Sequence, residues 1–134
     1  MGLGPEYRAL SSEPRYRPED PRRWVTIWSR FPLREQVAVH ETSRTVAGLY
    51  DTPLGSLRVY RTVLPWHSDR DSDGEANWAK HHRVISQQAS KWVRLSDRFP
   101  DAALCVARDL NMNLGGSYFY GSKEGVQLLE ETGP

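Results

Sequence analysis

The clearest chemistry in this chain sits on Asp109-Leu110-Asn111, which follows directly on the run Ala102-Ala103-Leu104-Cys105-Val106-Ala107-Arg108. A carboxyl group can donate or accept a proton. A carboxamide one residue further on can hold an oxygen or a metal-bound water. The apolar run reads as a strand buried on both faces, and in open α/β sheets ligands bind beyond the carboxyl ends of strands. Two residues of extended chain put Asp109 and Asn111 on the same side. Alone, Asp-x-Asn is a weak signal, because after a strand it usually forms a turn or caps a helix.

Further candidates lie in two loops. Pro65 to Gly74 is polar and carries Trp66, His67 and Asp69, which line the same cleft as Asp109 if the two strands run parallel. A solvated loop histidine is the ordinary alternative for His67. Asp69, Asp71, Asp73 and Gly74 imitate the first half of a calcium loop, but Lys80 stands where the closing Glu belongs and no helix precedes it. The expected role is an acidic loop capping the next helix. Tyr118 and Tyr120, among the glycines of 115–121, suit a rim that stacks on a base or sugar, or plain packing. His81-His82 is no zinc pair, because adjacent helical residues diverge by roughly 100°; surface or groove packing is expected. Cys105 is expected to be a buried core thiol.

These residues need a scaffold. The stretch 23–29 is aromatic and β-branched and predicts a strand, as do 44–50 and 56–64. Between the last two, Asp51-Thr52-Pro53-Leu54-Gly55 suits a type I turn, hence a hairpin. A helix is predicted from Glu75 to Asp97, with Trp78, His82, Ile85, Ala89, Trp92 and Ser96 on its apolar stripe, widened by Val84, Val93 and Leu95. Ser122 can cap a last helix containing Val126, Leu128 and Leu129. Residues 1–21, interrupted by Pro5, Pro14, Pro18 and Pro21, read as coil packed by Tyr7, Leu10 and Tyr16. Strand–helix–strand order implies a mixed sheet with a right-handed crossover, covered by helices: an α/β class.

Composition sets the outer limits. With 134 residues, 38% hydrophobic, five Trp and six Tyr, the chain fits one globular domain, 1–134. The net charge of +1 demands neither nucleic acid nor membrane as partner. A single cysteine forms no internal disulfide. No run approaches the roughly 18 apolar residues of a membrane span, and no signal-peptide core is seen, so a soluble, cytoplasmic protein is expected.

Taken in order, Val46-Ala47-Gly48, Thr52-Pro53-Leu54-Gly55, Val59 to Trp66, Leu104 to Asn111 and Gly115 to Gly121 resemble the endonuclease/exonuclease/phosphatase superfamily. The resemblance runs from about Trp24 to Leu129. It implies part of a four-layer α/β sandwich and Mg²⁺-dependent hydrolysis of phosphoesters, nucleic acid among them. In that reading Asp109 gives a proton to the leaving group, and Asn111 orients the phosphate or the attacking water. Trp66, His67, Tyr118 and Tyr120 would contact substrate.

The chain also departs from the pattern. Arg108 and Arg61 stand where the family has Gly. Arg61 shares a strand face with Val59 and Val63, so it must be buried or shift the strand. No counterpart of the family's metal-binding Glu or of its terminal Asp-His pair is identified. An internal segment of the domain is therefore expected, from a truncated frame, a fragment or a degenerate homologue. Such a chain should have little or no activity alone and an exposed sheet edge prone to self-association. The rival readings are a catalytically inactive remnant that binds a partner or phosphorylated ligand, and a purely structural α/β domain.

Overall fold

A computed structural model of the protein describes residues 6–114 and 121–132. The fold is α/β. Its strands are β1 (Arg8–Ser11), β2 (Thr26–Ser29), β3 (Leu33–Val37), β4 (Thr45–Thr52), β5 (Gly55–Val63) and β6 (Ala103–Asp109); its helices are α1 (Ala79–Arg98) and α2 (Lys123–Thr132). β1 and β2 form an antiparallel ribbon, and a mixed four-stranded sheet has the order β3-β4-β5-β6. The chain divides into two compact units, residues 1–63 with 96–108 and residues 64–95 with 109–134. No helix among the described residues is long and apolar enough to cross a membrane.

The first unit is organised by the predicted hairpin. β4 and β5 pair from Thr45↔Thr62 to Thr52↔Gly55. This leaves Pro53 and a fully exposed Leu54 as a two-residue loop. Thr52 braces the loop by accepting from Leu54 N and donating to Gly55 O. Gly55, at φ 114°, makes the turn that a side chain would strain. Val25, Ile27, Val46, Tyr50 and Val63 form the core, packed by Leu10, Trp24, Phe31 and Val59. Two cations pack on Trp24: the Arg15 guanidinium lies 3.6 Å from its ring centre and that of Arg44 4.9 Å.

The 1–21 coil is corrected, because Arg8–Ser11 is a strand on β2. β3 was equally invisible in the sequence. Both are short and carry polar residues on open faces, so their burial pattern is too weak to read. Arg61 is also corrected: it stays exposed, and its guanidinium donates to Thr26 O at 2.8 Å, so no charge is buried and the strand keeps its register.

Gly48 has a sharp packing reason. A Cβ there would stand 2.7 Å from Leu33 Cδ1, 3.0 Å from a Tyr50 ring carbon and 3.2 Å from Leu10 Cδ2. Gly48→Ala should cost about 1–3 kcal/mol through overpacking. Urea unfolding of the two proteins checks this, and equal midpoints would refute it.

β6 lies at one edge of the four-stranded sheet among the described strands, and it differs from expectation in two ways. Its residues alternate between exposed and half-buried, so it is not covered on both faces. Cys105 points to the open side and is exposed, not a core thiol. Small residues such as Ala103 and Ala107 made the run look uniformly apolar, and composition does not say how many faces are covered.

In the second unit, Leu64, Val84, Ile85, Met112 and Leu129 form the core, with Trp78, Leu110, Val126 and Leu128 packed against it. α1 starts at Ala79, not Glu75, because Trp78 takes φ 70°, which a right-handed helix excludes. Its buried stripe is His81, Val84, Ile85, Gln88, Ala89, Trp92 and Leu95, while Val93 is exposed. Before the helix, Asp71 pairs with Lys80 at 2.7 Å and Arg83 at 2.5 Å, and Glu75 pairs with Arg83 at 2.7 Å. Hydrogen bonds from Lys80 and Arg83 hold the Asp71 carboxyl below its ordinary pKa. The acidic loop thus ties itself to the first turns of α1. Ser122 caps α2 as predicted, accepting from Gly125 N at 3.1 Å.

Candidate active site

Asp109 and Asn111 lie at the carboxyl end of β6, where Asp109 O accepts from Leu64 N at 3.0 Å, just past the end of β5. The chain does not stay extended. Asp109 Oδ1 accepts from Asn111 N at 3.0 Å, and Asn111 sits in the left-handed region at φ 48°. Asn and Asp tolerate that region best after Gly, because their short side chains bond locally. The same-side placement expected from an extended strand is therefore replaced by a turn.

Asn111 Nδ2 donates to Leu64 O at 2.7 Å. That bond fixes the amide and turns its Oδ1 away as the remaining acceptor. Asp109 is exposed and Asn111 half-buried. The Leu64 peptide thus anchors both residues through its N–H and its carbonyl. Only the pairing of β5 with β6 reveals this, and neighbouring parallel strand ends are the one sequence hint that bears on it.

Leu64 also roots the loop that carries the other candidates. Trp66 is half exposed, and its N–H donates to Asp69 Oδ2 at 3.2 Å. His67 is half-buried; its carbonyl accepts from Trp78 N at 2.7 Å, and its ring centre lies 5.7 Å from that of Trp78. A bulky residue at positive φ is strained, on the order of 1–3 kcal/mol, and Trp78 is held there by the His67 carbonyl and by ring contacts. His81 meets its edge at 5.0 Å, and His82 stacks at 6.5 Å. Tyr118 and Tyr120 lie outside the described residues.

The adjacent histidines diverge, as the helix requires. His82 Nε2 shares a 2.7 Å hydrogen bond with Ser122 Oγ, and Nδ1 faces Glu124 at 3.4 Å. His81 is fully buried rather than at the surface, with Nδ1 bonded to Pro65 O at 2.6 Å. Nδ1 must therefore carry a proton and donate to that carbonyl.

Burial pushes the His81 pKa down, against the opposing effect of the Pro65 carbonyl. Above the ordinary value of 6.5 the ring is neutral in both folded and unfolded states. Below 6.5 the unfolded chain binds a proton that the folded chain resists, so stability falls as pH drops. The slope should reach at most about 1.4 kcal/mol per pH unit. Urea melts between pH 7.5 and pH 5.5 should show this fall, and His81→Gln should flatten it. An unchanged slope in that variant would remove His81 as the cause.

Among solved structures, the beta hairpin deletion mutant of beta toxin from Staphylococcus aureus has a similar fold, with a TM-score of 0.52 and 16% identity over 80% of this chain and 39% of that one. Beta toxin 275-280 from the same organism gives 0.52 and 15% identity over 80% and 38%. A third beta toxin structure, a double mutant with bound magnesium ions, gives 0.49 at 17% identity, over 78% and 38%. The chain spans about two fifths of the length of these structures. At such identities the likeness concerns the fold alone. No family model and no curated protein matches the sequence.

Proposed function

We propose that Asp109 and Asn111 belong to a phosphoester-hydrolysing site. Asp109, as the carboxylic acid, protonates the leaving oxygen as its bond to phosphorus breaks. Asn111 Oδ1 accepts a hydrogen bond from the water attacking in line, whose surplus proton passes to solvent as Asp109 takes one up again. The observation that carries this reading is the shared anchor. Leu64 N–H donates to the Asp109 backbone carbonyl, the Leu64 carbonyl accepts from the Asn111 side-chain amide, and the Asp109 carboxylate accepts from Asn111 N, which ties both residues to the paired strand ends. The likeness to the beta toxin fold supports it.

The Mg²⁺ expected for such chemistry would neutralise charge on the phosphate. The described residues do not by themselves fit that ion. Asp109 and Asn111 offer one carboxylate and one amide, most of an octahedral shell would be water, and no group of three or more His, Cys, Asp or Glu among the described residues could hold a metal. That shortage favours a second reading, an inactive remnant acting as a binding or structural α/β domain.

The deciding experiment is hydrolysis of a phosphodiester and a phosphomonoester by excess protein, with and without Mg²⁺ or Mn²⁺, beside Asp109→Ala. Metal-dependent product that disappears in the variant supports the first reading. Identical rates in the two proteins would overturn it in favour of the second.

A further inference from the structure

We propose that Ser122, His82 and Glu124 form a second site, a nucleophile with its base and an orienting carboxylate, which hydrolyses carboxylic esters through an acyl-serine. All three residues belong to the second unit. The site shares no residue with the Asp109–Asn111 pair and does not depend on its chemistry.

Ser122 is the starting point. As the cap of α2, its Oγ accepts from Gly125 N at 3.1 Å, and capping needs no more than that bond. The same Oγ also lies 2.7 Å from His82 Nε2, on α1. The other ring nitrogen, Nδ1, faces a carboxylate oxygen of Glu124 at 3.4 Å. A carboxylate only accepts, so Nδ1 carries the proton of the neutral ring and Nε2 is left as the acceptor. The Ser122 hydroxyl therefore donates to Nε2, and the polar chain runs from Ser122 through His82 to Glu124. That order of roles is what serine hydrolysis rests on, and it is recognised by geometry whatever the fold. The Glu124 contact is long and its side chain is 72% exposed; such bonds are often long in a free enzyme and tighten when substrate binds.

The surroundings hold the ring and leave room for the reaction. The Trp78 ring lies nearly parallel to that of His82, at 12° and 6.5 Å between centres, and His82 N donates to Trp78 O at 2.9 Å. Trp78 itself holds φ 70°, and backbone strain of that kind gathers at functional sites. Gly125 keeps space beside the base: a Cβ there would stand 3.5 Å from His82 Nε2 and 3.1 Å from Met112 Sδ. His82 and Ser122 are half-buried while Lys123 and Glu124 are exposed, so this end of α2 is open to solvent. The first amides of a helix have no acceptor within it, which suits Lys123 N and Glu124 N to the oxyanion of an attacked carbonyl. In the reaction, Oγ bonds to the ester carbonyl carbon as Nε2 takes its proton. The bond to the leaving alcohol breaks, and Nε2 gives that proton to the alcohol oxygen. Water then attacks the acyl carbon and yields a proton to Nε2. The acyl–Oγ bond breaks, the acid departs and the proton returns to Ser122.

The test uses the whole chain with p-nitrophenyl acetate and, separately, an alkyl fluorophosphonate, whose fluoride leaves as Oγ bonds to phosphorus. Nitrophenolate release gives the rate, and peptide mass spectrometry gives the residue modified. Ser122 is expected to carry the acetyl or phosphonyl group, and the acetate to turn over more than once per chain. Ser122→Asn keeps a capping oxygen and should lose that turnover at unchanged circular dichroism. His82→Gln should slow modification of Ser122 by about 10²-fold or more, the worth of a general base. Glu124→Ala should slow it less, and Glu124→Asp should recover part of the loss, as befits a positioning carboxylate. If Ser122→Asn does not fold, the histidine and glutamate variants decide, since both leave the cap in place. The proposal fails if neither probe modifies Ser122, if adducts form only elsewhere, as on the exposed Cys105, or if acetyl-Ser122 forms and is never hydrolysed. It also fails if His82→Gln or Glu124→Ala reacts as fast as the parent, or if Glu124→Asp is no faster than Glu124→Ala.

Discussion

An Asp109→Ala chain is expected to lose Mg²⁺-supported phosphodiester hydrolysis by about 10²–10³-fold, or to background, since removal of one transition-state donor costs that much. The parent rate should itself be low, because the described residues offer no group of three or more His, Cys, Asp or Glu to hold the ion. Single-turnover conditions with excess protein are therefore the right measurement. Asn111→Gly is the companion variant. Glycine keeps the φ 48° turn without strain, so a loss of rate there reports the amide and not the backbone. Asn111→Ala would confuse the two. If Asn111→Gly keeps full rate while Asp109→Ala loses it, the amide has no part in orienting water and the proposed division of labour is wrong. Near-UV circular dichroism should be unchanged in both variants, because Asp109 is exposed and the Asn111 bond to Leu64 is a single contact.

Trp92→Ala should have the largest effect on stability. Trp92 is 3% exposed on the buried stripe of α1, which also carries Val84 and Ile85. Its removal leaves a cavity that the stripe cannot close, at about 3–5 kcal/mol. A domain of this size is stable by roughly 5–15 kcal/mol, so the variant should melt far below the parent or be partly unfolded at room temperature. Val93→Ala, one residue away but 62% exposed, should change stability by less than about 0.5 kcal/mol. Similar losses in the two variants would contradict the helix orientation. The pair is informative because the sequence placed both residues on one apolar stripe.

Much of this protein is settled by short-range signals. The β4–β5 hairpin follows from a Pro and a Gly two residues apart between β-branched runs, and the Ser122 cap from a hydroxyl ahead of a helix-forming segment. α1 is legible over most of its length because its 3.6-residue period survives any error of a residue or two. The type and spacing of Asp109 and Asn111 mark them as candidates only weakly, and the order of the surrounding motifs strengthens that reading. Other features depend on what lies across from a residue, which no local pattern encodes. The carboxyl end of β5 meets that of β6, and that pairing supplies the Leu64 peptide that anchors Asp109 and Asn111. β6 is covered on one face only, so Cys105 is exposed although its neighbours in sequence are apolar. β1 and β3 exist because β2 and β4 offer them hydrogen bonds, not because their own residues demand a strand. Arg61 escapes burial and Arg58 does not, although both are arginines three residues apart on β5: Arg61 reaches the carbonyl of Thr26 at the ribbon's edge, whereas Arg58 faces inward opposite Leu49. Alternation along a strand assigns them to opposite faces, but only the tertiary structure decides how deeply each position is covered.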